Sequence, residues 1–589
     1  MDKVLELISK EVGDAFEAAG YDRELGRVTI SNRPDLCEYQ CNGAMAGAKK
    51  YGKAPFIIAD EVAAKLQEND IFDKVESVKP GFLNIIVSGD FVRGYIVKML
   101  HEKHMGVTMP GHEPTYVIDY GGPNVAKSLH VGHLRSAVIG ESIKRILRYT
   151  GNKVIGDAHL GDWGLQMGLV ITELKERHPE LCYFDPDFTG AYPKEAPFTV
   201  EELGEIYPTA SGKSKEDEAY KARAMEATKL LQDGYKPYRA LWHHIMNVSL
   251  ADLKKNYKNL NVDFDLWNGE SDADPVIPGM VEYMKSHGYA HESQGALVVD
   301  VAEETDTKEI PPCMILKSDG ASLYNTTDLA TIKQRMDDNH PEGIIYVVDK
   351  RQELYFTQVF RCARKTKLVM PETELRFVGF GTMNGKDGKP FKTRAGGVMP
   401  LGDLISEIDE KMYARIKEGN PEMPEDEAKS TAHKIALSAL KYGDLSNQPS
   451  KDYVFDIEKF TSFEGDTGPY ILYTIVRIKS ILKKYEAEGG NVKEAKLGNP
   501  DSDAMKDLML NLTRFADAVE SASRDLSPNR ICAYIYDLSN AFNSFYHGTK
   551  ILAETDADKK SSYIALLSTT LKVLETGIDL LGFSSPERM

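Results

Sequence analysis

Apolar residues return every three or four positions at Leu134, Val138, Ile139, Ile143, Ile146 and Leu147, a spacing that predicts a helix burying one face. Gly151 supplies its stop. Ahead of it Tyr116, Val117 and Ile118 form a short apolar run, which predicts a strand from Thr115 to Asp119. Between them lies a turn rich in glycine and proline. The alternation of strand and helix continues to about residue 400. Lys153-Val-Ile155, Ala296-Leu-Val-Val299, Cys313-Met-Ile-Leu316, Ile344-Ile-Tyr-Val-Val348 and Leu375-Arg-Phe-Val378 predict the further strands of a parallel α/β sheet. Residues 175 to about 270 interrupt this rhythm. They are polar and charged, with helical stretches such as Glu216 to Leu231, and are expected to form a helical insertion between two halves of the sheet.

The flanks follow other patterns. Val4 to Ala18 and Asp60 to Gln67 have helical spacing, and Phe82 to Val87 reads as a strand opened by Lys79-Pro-Gly81. Residues 1 to 110 are thus expected to form an α+β domain. Gly106 to Pro114 is a linker with Pro110-Gly111 as its turn signal. From about 405 to 589 the pattern is helical through Leu404 to Lys417, Glu425 to Tyr442, Pro469 to Tyr485, Ala504 to Ala522 and Ser561 to Leu581, which predicts an all-α bundle.

Composition narrows the function classes. A chain of 589 residues has room for several domains, and no apolar run approaches the roughly 18 residues of a membrane span. Met1-Asp-Lys-Val-Leu-Glu has no apolar leader core, so a cytoplasmic protein with no membrane partner is expected. Six cysteines in this length do not make a disulfide scaffold. Cys37 and Cys41 lack a second close pair, so no dedicated metal site is expected. A net charge of −18 argues against binding nucleic acid over the whole surface, but local basic faces remain compatible with RNA.

The chemistry concentrates in the turn before the first helix. It reads Tyr120-Gly-Gly-Pro-Asn-Val-Ala-Lys-Ser-Leu-His-Val-Gly-His-Leu-Arg-Ser136. A helix N-terminus presents free N–H groups and a positive dipole end, which suit phosphate. His130 and His133 can each donate to phosphate oxygens, and Gly132 between them allows close approach to the backbone. A bare pair of histidines at a helix start is as often an ordinary surface feature. The extended string Pro123-Asn-x-x-Lys-x-x-His-x-Gly-His-Leu-Arg-Ser136 resembles the ATP signature of class I aminoacyl-tRNA synthetases, and in this form the arginyl-tRNA synthetase family. His159-Leu-Gly-Asp-Trp-Gly-Leu-Gln-Met-Gly168 is similar to that family's second active-site segment. Asp35 to Met45 and Pro80 to Ile85 resemble its N-terminal domain, which meets the tRNA elbow. Ser462 to Tyr470, Asp537 to Tyr546 and the Pro586-Glu-Arg-Met589 ending resemble its anticodon-binding helices.

The resemblance implies a Rossmann-like catalytic domain over 113–400, an elbow-binding domain over 1–110 and an anticodon-binding domain over 405–589. It implies an arginine–tRNA ligase using L-arginine, ATP with Mg²⁺, and tRNA-Arg, acting as a monomer. The reaction so implied has two steps, attack of the arginine carboxylate on the α-phosphate of ATP and transfer of the arginyl group to the 3′-terminal adenosine of the tRNA; neither needs a protein nucleophile, so catalysis must come from placement and charge. Lys127, His130, Gly132, His133, Met383, Lys392 and Arg394 would serve ATP, with Lys127, His130, His133 and Lys392 catalytic. Gly379 to Gly397 falls where the class carries a mobile second ATP loop. Aligned on Pro390-Phe-Lys-Thr-Arg394, it has Thr393 in place of the second lysine, and Lys127 is similar to the cation with which the family compensates. Asp119 and Asn124 would hold the ends of arginine, and Tyr324 and Asp328 its guanidinium. Gln352 is the matching glutamine, with Gln358 as competitor. Asp328 could instead cap a helix starting at Leu329. Tyr470, Arg477 and Lys483 would contact tRNA; charge runs are usually solvated faces, but Tyr473, Tyr534 and Tyr536 interleave here and suit base stacking. Lys49-Lys-Tyr-Gly-Lys53 would suit phosphate contact or merely a solvated helix end. A synthetase for another amino acid should lack the Tyr324 and Asp328 pair, and a silent RNA-binding paralogue should lack the intact lysine and histidines.

Overall fold

The computed structural model describes residues 1–127, 129–389 and 399–589, in two compact units. One comprises Met1–Met109, Phe463–Leu580 and Ser584–Met589. The other comprises Pro110–Ser462 and Leu581–Phe583. Lys392 and Arg394 lie outside the described residues.

The second unit is built on four parallel strands, Thr115–Tyr120, Lys153–Asp157, Gly343–Asp349 and Glu374–Phe380. Their spatial order is fourth, third, first, second. The chain leaves the first strand through helix Val131–Tyr149 to lay the second on one side. It later returns to lay the third on the other side. The loops after the first and third strands therefore diverge, and such a switch point at the carboxyl ends of the strands is where α/β sheets bind ligands. Helices Tyr324–Asn339 and Glu353–Lys365 pack Leu329, Ile332, Phe356, Val359 and Cys362 against Val117, Ile344 and Tyr346 of the sheet.

Two expected strands do not join that sheet. Ala296–Val299 and Cys313–Leu316 pair antiparallel, and His291–Ser293 completes a separate three-stranded sheet. The reason is the connection. Residues 300–312 hold no helix, and a parallel crossover needs a dozen or more residues, usually helical, whereas an antiparallel return does not.

The insertion consists of helices Val200–Glu216, Glu218–Gln232 and Lys236–Asn259. Ala210, Tyr220 and Ala224 cluster with Leu169 of helix Leu165–Arg177. Helices Leu401–Gly419 and Glu425–Leu445 also belong to this unit.

In the first unit, Val28–Ile30, Tyr39–Cys41, Phe82–Val87 and Phe72–Val78 form an antiparallel sheet in that order. Its helices include Val4–Ala18, Pro55–Leu66, Gly468–Ala487, Asn529–Gly548 and Ala557–Leu580. The single helix expected from Ala504 to Ala522 is two, Asp503–Thr513 and Phe515–Asp525. At the break the Thr513 hydroxyl donates back to the Leu510 carbonyl at 2.7 Å, a local bond of the kind that bends or ends a helix.

Candidate active site

His130 is the N-cap of helix Val131–Tyr149. Its Nδ1 accepts from the Gly132 amide at 3.0 Å, and His133 Nδ1 accepts from the His130 amide at 3.2 Å. The two rings lie 4.0 Å apart between centroids. Burial lowers the pKa of both imidazoles, and the Lys127 charge adds to this. For His133, burial and then His130 bring the value to about 3. Both are neutral at pH 7. A neutral imidazole whose Nδ1 accepts must carry its proton on Nε2. The helix start thus offers two Nε2–H donors together with its own amides. Gly132 is needed for this arrangement, because a Cβ there would meet His130 Cε1 at 2.8 Å.

The turn is held by its neighbours. Asn124 bridges to Gly161, and Val125 N–H donates to the Gly161 carbonyl at 3.0 Å. A Cβ on Gly161 would meet Asn124 Oδ1 at 2.0 Å, so the two motifs can pack only with glycine there. The Ala126 amide donates to Ser249 Oγ of helix Lys236–Asn259 at 3.0 Å. The Lys127 ammonium lies 4.3 Å from the centre of the Tyr207 ring.

Beside the signature sits an acidic pocket. Asp119 and Asp157 are register partners at the ends of adjacent strands. Arg335 Nη2 donates to Oδ2 of each at 2.7 Å. Helix Tyr324–Asn339 begins at Tyr324, not at Leu329, so Asp328 lies inside it and does not cap it. Tyr324 and Asp328 are one turn apart as expected. Tyr324 is 69% exposed, and Asp328 accepts from the Tyr355 hydroxyl. Burial raises the pKa of the Asp328 carboxyl, and the Tyr355 hydrogen bond opposes this. Asp162 is likewise raised by burial. Glu270, at the start of a short helix packed on Tyr324–Asn339, is pushed up to about 7 by burial and then by Asp162 and Asp328. Unlike Asp119 and Asp157, the carboxylates of Asp162, Asp328 and Glu270 form no ion pair among the described residues. His159 alongside has both ring nitrogens buried without a hydrogen-bond partner among the described residues. Gln352 is exposed at the start of helix Glu353–Lys365. The Gln358 amide is already engaged with the Pro311 and Pro312 carbonyls, at 2.8 and 3.3 Å.

The second loop is anchored at both described ends. Met383–Asn384 pairs with Tyr453–Val454, with Met383 buried. On the far side the Val131 amide donates to the Met399 carbonyl at 3.1 Å, and Leu401 N–H to the Leu129 carbonyl at 2.9 Å. The chain beyond residue 398 is therefore bonded to the start of the signature helix.

A catalytic-domain family described as tRNA synthetases class I (R) matches residues 95–457. The arginyl tRNA synthetase N terminal domain matches 2–87, and the DALR anticodon binding domain matches 471–589. The arginine–tRNA ligase of Agathobacter rectalis is 62% identical over 597 residues, covering all of both chains. The chain belongs to the arginyl-tRNA synthetase family. The arginine–tRNA ligase of Alkaliphilus oremlandii is 56% identical, again over both whole chains. Among solved structures, the arginyl-tRNA synthetases of Plasmodium falciparum and Thermus thermophilus share the fold over all of both chains, with TM-scores of 0.80 and 0.78 at 24% and 23% identity.

In the DALR region, Arg477 lies between the rings of Tyr473 and Tyr546, 4.7 and 4.8 Å from their centres, and Nη1 donates to Asn543 Oδ1 at 2.7 Å. The Tyr470 hydroxyl bonds Asn540 and Asn543. Lys483 is exposed. Lys479 is engaged by Glu575 and Glu587. Tyr534, expected among stacking residues, is 7% exposed and packs on Phe515. In the N-terminal domain Lys50 pairs with Asp22 and Lys53 with Glu61, so two of the three clustered lysines are already neutralised. Sequence reading missed Glu270. Nothing local marks it, since a lone glutamate before Ser271-Asp-Ala-Asp gives no pattern. Only its burial against Asp162 and Asp328 singles it out.

Proposed function

We infer that this chain is an arginine–tRNA ligase. It activates L-arginine with ATP to arginyl-adenylate, releasing pyrophosphate, and transfers the arginyl group to the 3′-terminal adenosine of tRNA-Arg, releasing AMP. The observation that carries this reading is the pairing, at the carboxyl ends of the strands, of neutral imidazole donors with the carboxylates of Asp162, Asp328 and Glu270, none of them ion-paired among the described residues. The first suits a polyphosphate, the second a guanidinium.

In activation, an arginine carboxylate oxygen bonds the α-phosphorus and the bond to the bridging oxygen breaks. Charge grows on the phosphate oxygens. His130 and His133 Nε2–H donate to them, with the Lys127 charge and the helix start behind. These donors act without reorganisation. Lys392 and Arg394 are assigned to the β- and γ-phosphates, and Gly132 and Met383 to the nucleotide. Donors of this kind suit phosphate oxygens and repel a dication, so Mg²⁺ would be held by the phosphates and water.

Asp328 and Glu270 take the guanidinium and Tyr324 closes over it. Asp119 turns its second carboxylate oxygen to the substrate ammonium, since Arg335 occupies the first. Asn124 and Gln352 complete the contacts. Tyr470, Arg477 and Lys483 serve the anticodon arm, and the N-terminal domain the tRNA elbow. The enzyme acts as a cytoplasmic monomer and activates arginine only with tRNA-Arg bound. The test is ATP–pyrophosphate exchange with each amino acid, with and without tRNA. Exchange with arginine and tRNA together is expected. Exchange with another amino acid, or with none, overturns the assignment.

A further inference from the structure

We propose that Tyr207, on insertion helix Val200–Glu216, is the positioning residue for Lys127. The proposal rests on the reading that Lys127 serves the phosphates of ATP.

The Lys127 ammonium lies 4.3 Å from the centre of the Tyr207 ring, and among the described residues no carboxylate pairs with it. That choice of partner has a physical consequence. A carboxylate would hold the ammonium firmly, cancel its charge and repel an incoming polyphosphate. An aromatic face attracts a cation through its quadrupole and brings no net charge. A ring on one side of an ammonium leaves uncancelled the charge it can offer to a phosphate. The positive charge already acts on His130 and His133, whose pKa values it lowers. The ammonium thus has Tyr207 on one side and the imidazoles within electrostatic reach.

Tyr207 is well placed to be rigid. Leu203, Ile206 and Ala210 of its helix are buried, and its ring packs on the cluster of Leu169, Ala210, Tyr220 and Ala224. A free lysine side chain loses rotamer entropy when fixed. A ring that confines it beforehand removes part of that loss from the activation step. The insertion then contributes to the chemistry of a turn about 80 residues earlier in the chain.

The test measures arginine activation by ATP–pyrophosphate exchange in the full-length enzyme with tRNA. Tyr207→Leu is expected to lower kcat roughly 3- to 30-fold, the range for a partly desolvated cation–aromatic contact, with little change in the KM for arginine. Tyr207→Phe keeps the ring and should stay near the parent rate. In a Lys127→Ala background, Tyr207→Leu should cause no further loss. A loss equally large in that background, or an equal loss in Tyr207→Phe, overturns the proposal. If Tyr207→Leu does not fold, mono-, di- and trifluorophenylalanine placed at 207 weaken the ring's negative face stepwise at nearly constant size. The logarithm of the rate should then fall with each fluorine, and a flat series overturns the proposal. A Lys127→Ala enzyme of normal rate instead overturns the role of Lys127 itself.

Discussion

Arg135 Nε donates to Asp444 Oδ2 at 2.9 Å, and both side chains are closed off from solvent. The pair ties the signature helix to helix Glu425–Leu445. Arg135 Nη1 also donates to the Gly381 and Lys451 carbonyls, at 2.7 and 3.0 Å, and the Tyr453 hydroxyl donates to Asp444 at 2.9 Å. The His130 and His133 pair and the approach to the second ATP loop therefore share one buried support. Asp444→Ala leaves a buried guanidinium without its anion and should destabilise the unit by about 3–5 kcal/mol. Replacing Arg135 and Asp444 together by Met and Leu should cost less than the single change. Urea unfolding of the three variants checks both statements.

If Glu270 meets the guanidinium as proposed, arginine binding is expected to depend on pH. Its folded-state value of about 7 lies above that of an unfolded glutamate, so the ligand-free fold holds the proton more tightly. This contribution to stability is present at low pH and is lost as pH rises through about 7. A guanidinium favours the ionised form, so binding near pH 6.5 should release up to about one proton. Affinity for arginine should then rise with pH and level off above about 7. Calorimetric titrations in buffers of different ionisation enthalpy measure the proton, and Glu270→Gln should abolish the release.

Asp328→Asn should reduce discrimination between arginine and its neutral isostere citrulline. Truncating one partner of a buried charge pair costs about 2–5 kcal/mol. An unchanged apparent affinity for arginine would show that Asp328 serves only to hold Tyr355.

Lys127→Ala should lower the activation rate by about 100-fold or more, because a cation at the phosphate acts mostly as charge develops there. The KM values for arginine and ATP should move little. Lys127→Arg should recover only part of the rate, since a planar guanidinium does not replace a point charge.

Arg477 and Lys483 are proposed to bind tRNA and to take no part in the chemical step. Replacing both by alanine should weaken tRNA binding and, if each meets a phosphate, reduce the salt slope by about 2. Single-turnover transfer from the preformed complex should remain nearly intact. Filter binding across a salt series and a rapid-quench assay separate the two effects. Arg477 is held between two tyrosine rings, so its loss should exceed that of the freely exposed Lys483.

The sequence by itself determined the parts whose causes are local. Helix Val4–Ala18 follows from hydrophobic period, strand Phe82–Val87 from an apolar run opened by Lys79-Pro-Gly81, and the strand, turn and helix around His130 from period and turn residues. The lysine and histidine string likewise exposes the phosphate chemistry, because a helix start acts on its ligand through consecutive residues. What only the tertiary structure decided depends on groups far apart in the chain. Whether Cys313–Leu316 joins the parallel sheet is settled by its connection, not its composition. Asp328 is a helix-interior residue and not a cap because Tyr324 already starts the helix. Glu270 has its raised pKa only because folding buries it beside Asp162 and Asp328. Lys127 meets Tyr207 only because the insertion folds back over the turn. Desolvation and the sharing of charge between distant residues leave no period in a sequence, and those two forces shape the acidic pocket.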